Sequence, residues 1–244
     1  VSASRRLLLF TKPAREGRVK TRLIGDLTAA QAAALHAAFL ADLLDRLRAG
    51  EFELRLAWAL EPGEEIPAGP LPGVRGLRQE GEGLGERLYR ALAAGAGEAA
   101  VVMALGSDHP TLPLALVHRL ALVHRAFERV EAGADVVLGP AEDGGYYLIA
   151  LRAGAVAPRL FEEIAWSTDR VLAATLERCR ELGLAVELLP EAADVDTPED
   201  LRRLAGSLEH GDSGCPRTRA LLATLGLLQP QIPDPKSNIE EAVS

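Results

Sequence analysis

The chain is poor in several residue types, and each shortage excludes something. Among 244 residues there are two cysteines, one methionine, three tyrosines and two tryptophans. Cys179 and Cys215 form no Cys-x-x-Cys pair and show no metal-ligand spacing, so they make neither a disulfide framework nor a zinc site and read as reduced thiols. No apolar stretch approaches the ~20 residues needed to cross a bilayer, and the run that ends at Phe10 is too short for a signal-peptide core. The expectation is a soluble, cytoplasmic protein without a membrane span. Positive charge is scarce as well. With 27 Lys and Arg against 35 Asp and Glu the net charge is −8, which argues against nucleic acid or an anionic membrane as partner.

A net positive excess is nonetheless concentrated between residues 5 and 22. Arg5, Arg6, Lys12, Arg15, Arg18, Lys20 and Arg22 lie in one short segment whose single acid is Glu16. An acidic protein with one cationic loop points to a small polyanionic ligand bound there. What the chain has in quantity is hydrophobic residues, 48% of the total, enough for a core that needs no covalent staple.

Strand and helix patterns alternate. Residues 7–10 read as a buried strand, and Thr28 caps a helix in which Leu35, Phe39, Leu43 and Leu47 form one stripe. Residues 52–60 alternate like a half-buried strand, residues 61–76 read as a Pro- and Gly-bearing loop, and a turn at 79–87 feeds a helix through Leu92. The run 99–105 has the character of a central parallel strand, followed by a helix to about Val130 and the strands 135–139 and 146–151. A helix at 169–182, a strand at 185–189 and a helix opening at Thr197-Pro198 complete the series. This order predicts an α/β fold, a three-layer α/β/α sandwich with a mostly parallel central sheet whose ligands bind beyond the strands' carboxyl ends. Residues 1–206 are expected to form the catalytic domain, and 207–244 a linker, a short helix and a tail. A doubled Leu-Ala-Leu-Val-His-Arg places His118 and His124 about 120° apart on a helix, too far round to share a metal.

Four loops carry the polar chemistry. The first, with Lys12, Arg18, Lys20 and Arg22, is not a Walker A motif because Val19 stands where that motif needs glycine. Its cations, one glycine and free amides suit adjacent phosphates, with forked guanidinium groups beside compact ammonium groups. Residues 79–87 hold three glycines without dinucleotide-binding spacing. Asp108 ends the most apolar strand; a carboxylate there either holds a divalent ion that bridges phosphates or caps the next helix. In Asp194-Val195-Asp196 alternation puts both carboxylates on one side, where Asp196 either completes a metal site with Asp108 or caps the last helix. Glu142-Asp143-Gly144-Gly145-Tyr146 lets backbone approach a ligand closely, with Asp143 as an acceptor for hydroxyl groups; a plain turn is the alternative.

Read in order, Lys-Pro-x-x-x-Gly-x-Val-Lys-Thr-Arg-Leu from Lys12, the Gly-rich turn from Gln79, Gly-Ser-Asp-x-Pro-x-Leu-Pro from Gly106, Gly-Pro-x-x-Asp-Gly-Gly-Tyr-Tyr from Gly139 and Asp-Val-Asp-Thr-Pro-Glu-Asp-Leu from Asp194 form a series. It resembles the GT-A-type nucleotide-diphospho-sugar transferase superfamily, above all the small glycosyltransferase-like transferases associated with rSAM and selenodomain proteins. Phospholactate and molybdenum-cofactor guanylyltransferases are relatives. The resemblance covers residues 5–204. It implies that Lys12, Arg18, Lys20 and Arg22, with Gln79 and Gly83, bind the nucleotide and its phosphates. Asp108 and Asp196 would be the ligands of Mg²⁺ or Mn²⁺, and Asp143, Gly144, Gly145 and Tyr146 would line the second-substrate pocket. Lys20, Arg22 and Asp143 would be the catalytic groups. The glycosyltransferase Asp-x-Asp is absent, since His109 and Pro110 follow Asp108, and so is the Gly-rich first loop of nucleotidyltransferases. The first expectation is transfer of a sugar from a nucleotide-diphosphate sugar to a small acceptor. The alternative is nucleotidyl transfer from a nucleoside triphosphate with release of pyrophosphate, and the third is a non-catalytic nucleotide-binding module.

Overall fold

Leu7, Leu8 and Leu9 are all buried, so β1 (Arg5–Thr11) lies inside a sheet covered on both faces. The computed structural model describes residues 4–67, 73–109, 121–209 and 215–228. After β1 come α1 (Ala29–Leu47), β2 (Glu53–Trp58), β3 (Arg75–Arg78), α2 (Leu84–Ala96), β4 (Val101–Gly106), α3 (Ala121–Glu131), β5 (Val136–Pro140), β6 (Tyr146–Arg152), α4 (Val171–Glu181), β7 (Val186–Leu188), α5 (Pro198–Glu209) and α6 (Pro216–Thr224). The sheet runs β3-β2-β1-β4-β6-β5-β7. All neighbours pair in parallel except β6, which is antiparallel to both β4 and β5. The cause is the short link, residues 141–145, between β5 and β6: a parallel return needs a dozen residues or more, so the chain turns back as a hairpin.

Period-two alternation divides the core between the sheet's faces. Leu7 and Leu9 of β1, with Met103 and Leu105 of β4, pack under Leu40, Leu43, Leu44 and Leu47 of α1 and Phe127 of α3. Leu8, Val102 and Ala104 face the other way, against Leu88 and Leu92 of α2 and Cys179 of α4. That is the expected three-layer sandwich. The expected α1 stripe is fully interior, and Thr28 closes a capping box with Gln31. One element differs from the sequence reading: the end of the expected loop 61–76 is β3, four residues paired in parallel with β2 alone. The first copy of the hexapeptide repeat, with His118, lies outside the described residues, as do residues 229–244. His124 sits on α3, 6.3 Å from the Phe52 ring.

The expected boundary at residue 206 falls inside α5, which runs on to Glu209. A third apolar cluster joins Leu35 and Phe39 of α1 to Leu201, Leu204 and Leu208 of α5 and Leu222 of α6. The joint is also polar: the buried Asp42 carboxylate accepts the backbone N–H groups of Arg217 at 3.0 Å and Thr218 at 2.8 Å, capping α6 from another helix. Asp42→Ala is therefore expected to cost about 2 kcal/mol, and Asp42→Asn about half as much, read as a lower urea midpoint. Cys179 and Cys215 are both buried. None of the described helices is long and apolar enough to cross a membrane.

Candidate functional site

β1 has β2 on one side and β4 on the other, so the chain leaves β1 and β4 in opposite directions and opens a crevice at their carboxyl ends. The Ser107 hydroxyl donates to Thr11 Oγ1 at 3.0 Å and ties the two strand ends together. From Thr11 the cationic loop crosses the crevice and turns inward at Lys20, whose backbone is left-handed (φ 48°). The Lys20 side chain is only 2% exposed; its Nζ lies 2.5 Å from Asp108 Oδ1 and 2.9 Å from Asp196 Oδ1, and 5.7 Å from the centre of the Phe39 ring.

The electrostatics follow from that geometry. Burial pulls the Lys20 ammonium down, but the two aspartates more than offset it, so its pKa is raised and the group stays charged. Burial pushes the Asp108 carboxyl up, and Lys20, with smaller help from His36 and His109, brings it below the ordinary carboxylate value. His36, which the sequence reading did not single out, stands behind this pair. Its Nε2–H donates to Lys12 O at 3.0 Å, which leaves Nδ1 unprotonated, without a hydrogen-bond partner, and 3.8 Å from Asp108 Oδ1. Burial keeps its pKa below the ordinary histidine value.

Two cavities of about 590 Å³ each meet at Asp108 and Asp196. Lys12, Arg18, Lys20, Arg22, Gln79 and the unforeseen Arg87 line the first. Gln79 donates through Nε2 to Ala57 O at 2.8 Å, which seats its amide at the end of β2. Asp143, Gly145, Tyr146, Asp194 and the unforeseen Trp166 line the second. Arg22, Ser167, Asp108 and Asp196 border both. Two expected residues are not among the lining. Gly83 is the residue before α2, its N-cap, and Gly144 lies behind the wall.

Gly144 has a structural task that explains its presence. It has φ +83°, and a Cβ there would stand 2.1 Å from Asp169 O. Gly85 is in the same position: a Cβ would meet Trp166 Nε1 at 2.3 Å and Phe161 O at 2.7 Å. Both glycines make room for the segment 161–169, which carries Trp166, Ser167 and Thr168 into the site. Ser167 itself has φ 63°, an uncommon conformation for serine, at the border of the two cavities.

Residues 194–196 follow the expected alternation: Val195 is buried, and Asp194 and Asp196 both border the second cavity. Burial, Asp196 and Asp143 raise the Asp194 pKa. Asp196 is held by a residue absent from the expected site, Asp200. The Asp200 Oδ2 atom accepts the backbone N–H groups of Asp196 (3.1 Å) and Thr197 (2.7 Å) and the Thr197 hydroxyl, while Asp200 N bonds back to Thr197 Oγ1. Burial opposes ionisation of Asp200, yet these donors and Arg203 bring its pKa down to about 2. A depressed folded pKa gives stability that is present above the ordinary value of 3.8 and lost as pH falls toward 2. Asp200→Asn is expected to cost about 1–2 kcal/mol at pH 7 and almost nothing at pH 2, measured by chemical denaturation at the two pH values.

The strand order, the crevice and the loops around it define the nucleotide-diphospho-sugar transferase-like fold, as the motif series implied. Comparison with known proteins agrees. The chain matches the family described as "uncharacterized protein conserved in bacteria" (DUF2064) over residues 40–168, and it belongs to that family. It is 34% identical over 192 residues to a 3-phospho-D-glycerate guanylyltransferase of Phenylobacterium zucineum (strain HLK1), covering 76% of this chain and 84% of that one. A protein of Desulfovibrio desulfuricans G20, provisionally described as a nucleotide-diphospho-sugar transferase, has a similar crystal structure: TM-score 0.84 and 31% identity, covering 93% of this chain and 97% of that one. A cytidylyltransferase of Leptospira borgpetersenii serovar Hardjo-bovis (strain JB197) shares the fold at TM-score 0.54, with 12% identity, covering 94% of this chain and 98% of that one.

Proposed function

We propose that the protein is a nucleotidyltransferase. An acceptor phosphate oxygen attacks the α-phosphorus of a nucleoside triphosphate, the bond to the β-phosphate breaks, and pyrophosphate leaves. The observation that carries this reading is the meeting of a cationic cavity and a second cavity at Asp108 and Asp196, the two carboxylates that Lys20 bridges from the first cavity. The triphosphate is placed in the first cavity and the acceptor in the second, so that the reacting phosphorus lies where they join. The guanylyltransferase relative supports this reaction over sugar transfer, the first expectation from sequence, and suggests GTP as donor. Glycosyl transfer is the second reading, supported by the likeness to the Desulfovibrio protein.

In this scheme Lys12, Arg18 and Arg22 grip the phosphates of the donor, the arginines through paired N–H groups and the lysine as a point charge. Lys20 is already fixed and charged, so it meets developing charge without rearranging. Asp143, whose Oδ1 accepts Gly145 N at 2.9 Å, has its other oxygen available to orient the acceptor. Asp108 and Asp196 each commit Oδ1 to Lys20; Asp108 keeps its second oxygen, and that of Asp196, Oδ2, stands 4.0 Å from Arg22 Nη1 at the exposed edge, so the two carboxylates offer hard oxygens that fit Mg²⁺ or Mn²⁺ with few protein ligands. Among the described residues no group of three or more His, Cys, Asp or Glu side chains forms a metal cage. Held by these two aspartates, the divalent ion would supply charge neutralisation on the phosphates.

The test is the released product. With GTP, Mg²⁺ and a phosphorylated acceptor, pyrophosphate is expected; GDP released from a GDP-sugar would overturn this reading in favour of glycosyl transfer. Chelation is expected to abolish turnover and added Mg²⁺ or Mn²⁺ to restore it, while Asp108→Asn is expected to lower kcat/KM about 100-fold.

A further inference from the structure

The second cavity is chemically unlike the first. Arg22, on the shared border, is the one lysine or arginine among its described lining residues, and His109 has its Nδ1–H committed to Ala193 O at 3.0 Å. Five aspartates line it. Lys20 pairs with Asp108 and Asp196, but among the described residues no lysine or arginine pairs with Asp143, Asp169 or Asp194. Beside these free carboxylates stand Tyr146 and Trp166, packed edge to face with ring centres 6.3 Å apart, and the Ser167 backbone at the border.

Unpaired carboxylates accept hydrogen bonds from hydroxyl groups, and aromatic rings pack against the C–H faces of sugars and polyols. Away from Arg22, an anionic group placed against Asp143, Asp169 and Asp194 would meet like charge that no lysine or arginine neutralises, the arrangement by which a site rejects a wrong ligand. We infer that the acceptor carries its reacting phosphate on an uncharged, polyhydroxylated body, a sugar or polyol phosphate, and that a phosphate ester bearing a carboxylate is rejected. This rests on the reading that the second cavity takes the acceptor. It separates this chain from its guanylyltransferase relative, whose named substrate bears a carboxylate. The phosphate end of the acceptor points to the junction, where Arg22 is, and the hydroxylated end lies against Asp143, Asp194 and the rings.

Glycerol 3-phosphate and 3-phosphoglycerate make a matched pair, with one carbon skeleton carrying a carbinol in the first and a carboxylate in the second. Binding of each to the full chain is measured by isothermal titration with Mg²⁺ and a non-hydrolysable GTP analogue, with glucose 1-phosphate as a larger polyhydroxylated probe. The expected result is glycerol 3-phosphate bound about tenfold more tightly than 3-phosphoglycerate. Asp194→Asn and Asp143→Asn, each of unchanged shape, are each expected to narrow that ratio about threefold. Equal or tighter binding of 3-phosphoglycerate, a ratio that moves in neither variant, or no binding of either polyhydroxylated probe overturns the inference. Pyrophosphate release with 3-phosphoglycerate and not with glycerol 3-phosphate also overturns it, while leaving nucleotidyl transfer standing. Preferential binding of glycerol 3-phosphate without pyrophosphate release from any donor supports the acceptor class and counts against nucleotidyl transfer.

Discussion

Lys20→Met is expected to lower kcat/KM by about 10²–10³-fold, the usual cost of removing one fixed group that stabilises charge in a transition state. A second effect separates this residue from an ordinary surface lysine. Without the ammonium, Asp108 and Asp196 face each other unneutralised, and the protein is expected to lose about 2 kcal/mol at neutral pH, less than for a fully buried pair because both carboxylates are partly exposed. The pH dependence has a definite shape. The raised pKa of Lys20 contributes stability that is full below 10.5 and lost as pH rises through its higher folded value. The lowered pKa of Asp108 contributes stability that is present above 3.8 and lost as pH falls through its lower folded value. The difference in melting temperature between wild type and Lys20→Met should therefore be widest between those limits and shrink on both sides. A difference that stays flat from pH 3 to pH 11 would show that the ammonium is not coupled to the aspartates.

Gly144→Ala should be the most destabilising single methyl addition in the site. A left-handed backbone and a Cβ placed 2.1 Å from a backbone oxygen cannot both be relieved by moving a side chain. The neighbouring backbone is also tied, since Leu172 N donates to Gly144 O at 2.9 Å at the start of α4. The expected loss is about 4 kcal/mol, or roughly 10 °C in melting temperature for a domain of this size. Gly145→Ala is the control. Its Cβ would meet Asp143 Oδ1 at 3.0 Å, the end of a flexible side chain, so stability should change by less than about 1 kcal/mol while KM for the acceptor rises. Equal melting temperatures for the two variants would contradict the close approach of residues 161–169 to Gly144.

These expectations rest partly on what could be read from sequence and partly on what could not. The interior of β1 and the buried stripe of α1 were legible because consecutive or four-spaced leucines leave one burial pattern. β3 was not, because Arg75-Gly-Leu-Arg78 has neither alternation nor β-branched residues and owes its conformation to pairing with β2. In the site, Lys20, Asp108 and Asp196 each stood out locally. That one ammonium lies between both carboxylates was not legible, since Lys20 and Asp196 are 176 positions apart and only the sheet order unites them. His36 gave no signal because it lies inside an apolar helix next to Leu35. Trp166 and Ser167 belong to no repeated pattern, but their counterparts did show: the glycines at 85 and 144 are the imprint of that segment on the motifs it touches. Asp200 was visible only as a residue in the first turn of α5, and its hold on Asp196 needed the geometry.

The antiparallel strand β6 divides the sheet into two territories. On one side β3, β2, β1 and β4 form a continuous parallel block; on the other, β5 and β6 form a local hairpin with β7 at its edge. The two cavities join over the carboxyl ends of β1 and β4, where Phe10 and Gly106 line both, and β6 borders the second cavity only. Residues 141–145 at the hairpin's tip begin and end on adjacent strands, so side-chain changes there that spare Gly144 leave the parallel block undisturbed. On the proposed reading, in which the first cavity takes the nucleotide and the second the acceptor, a change at the hairpin tip alters the partner a nucleotide is joined to while the parallel block keeps its grip on the nucleotide itself.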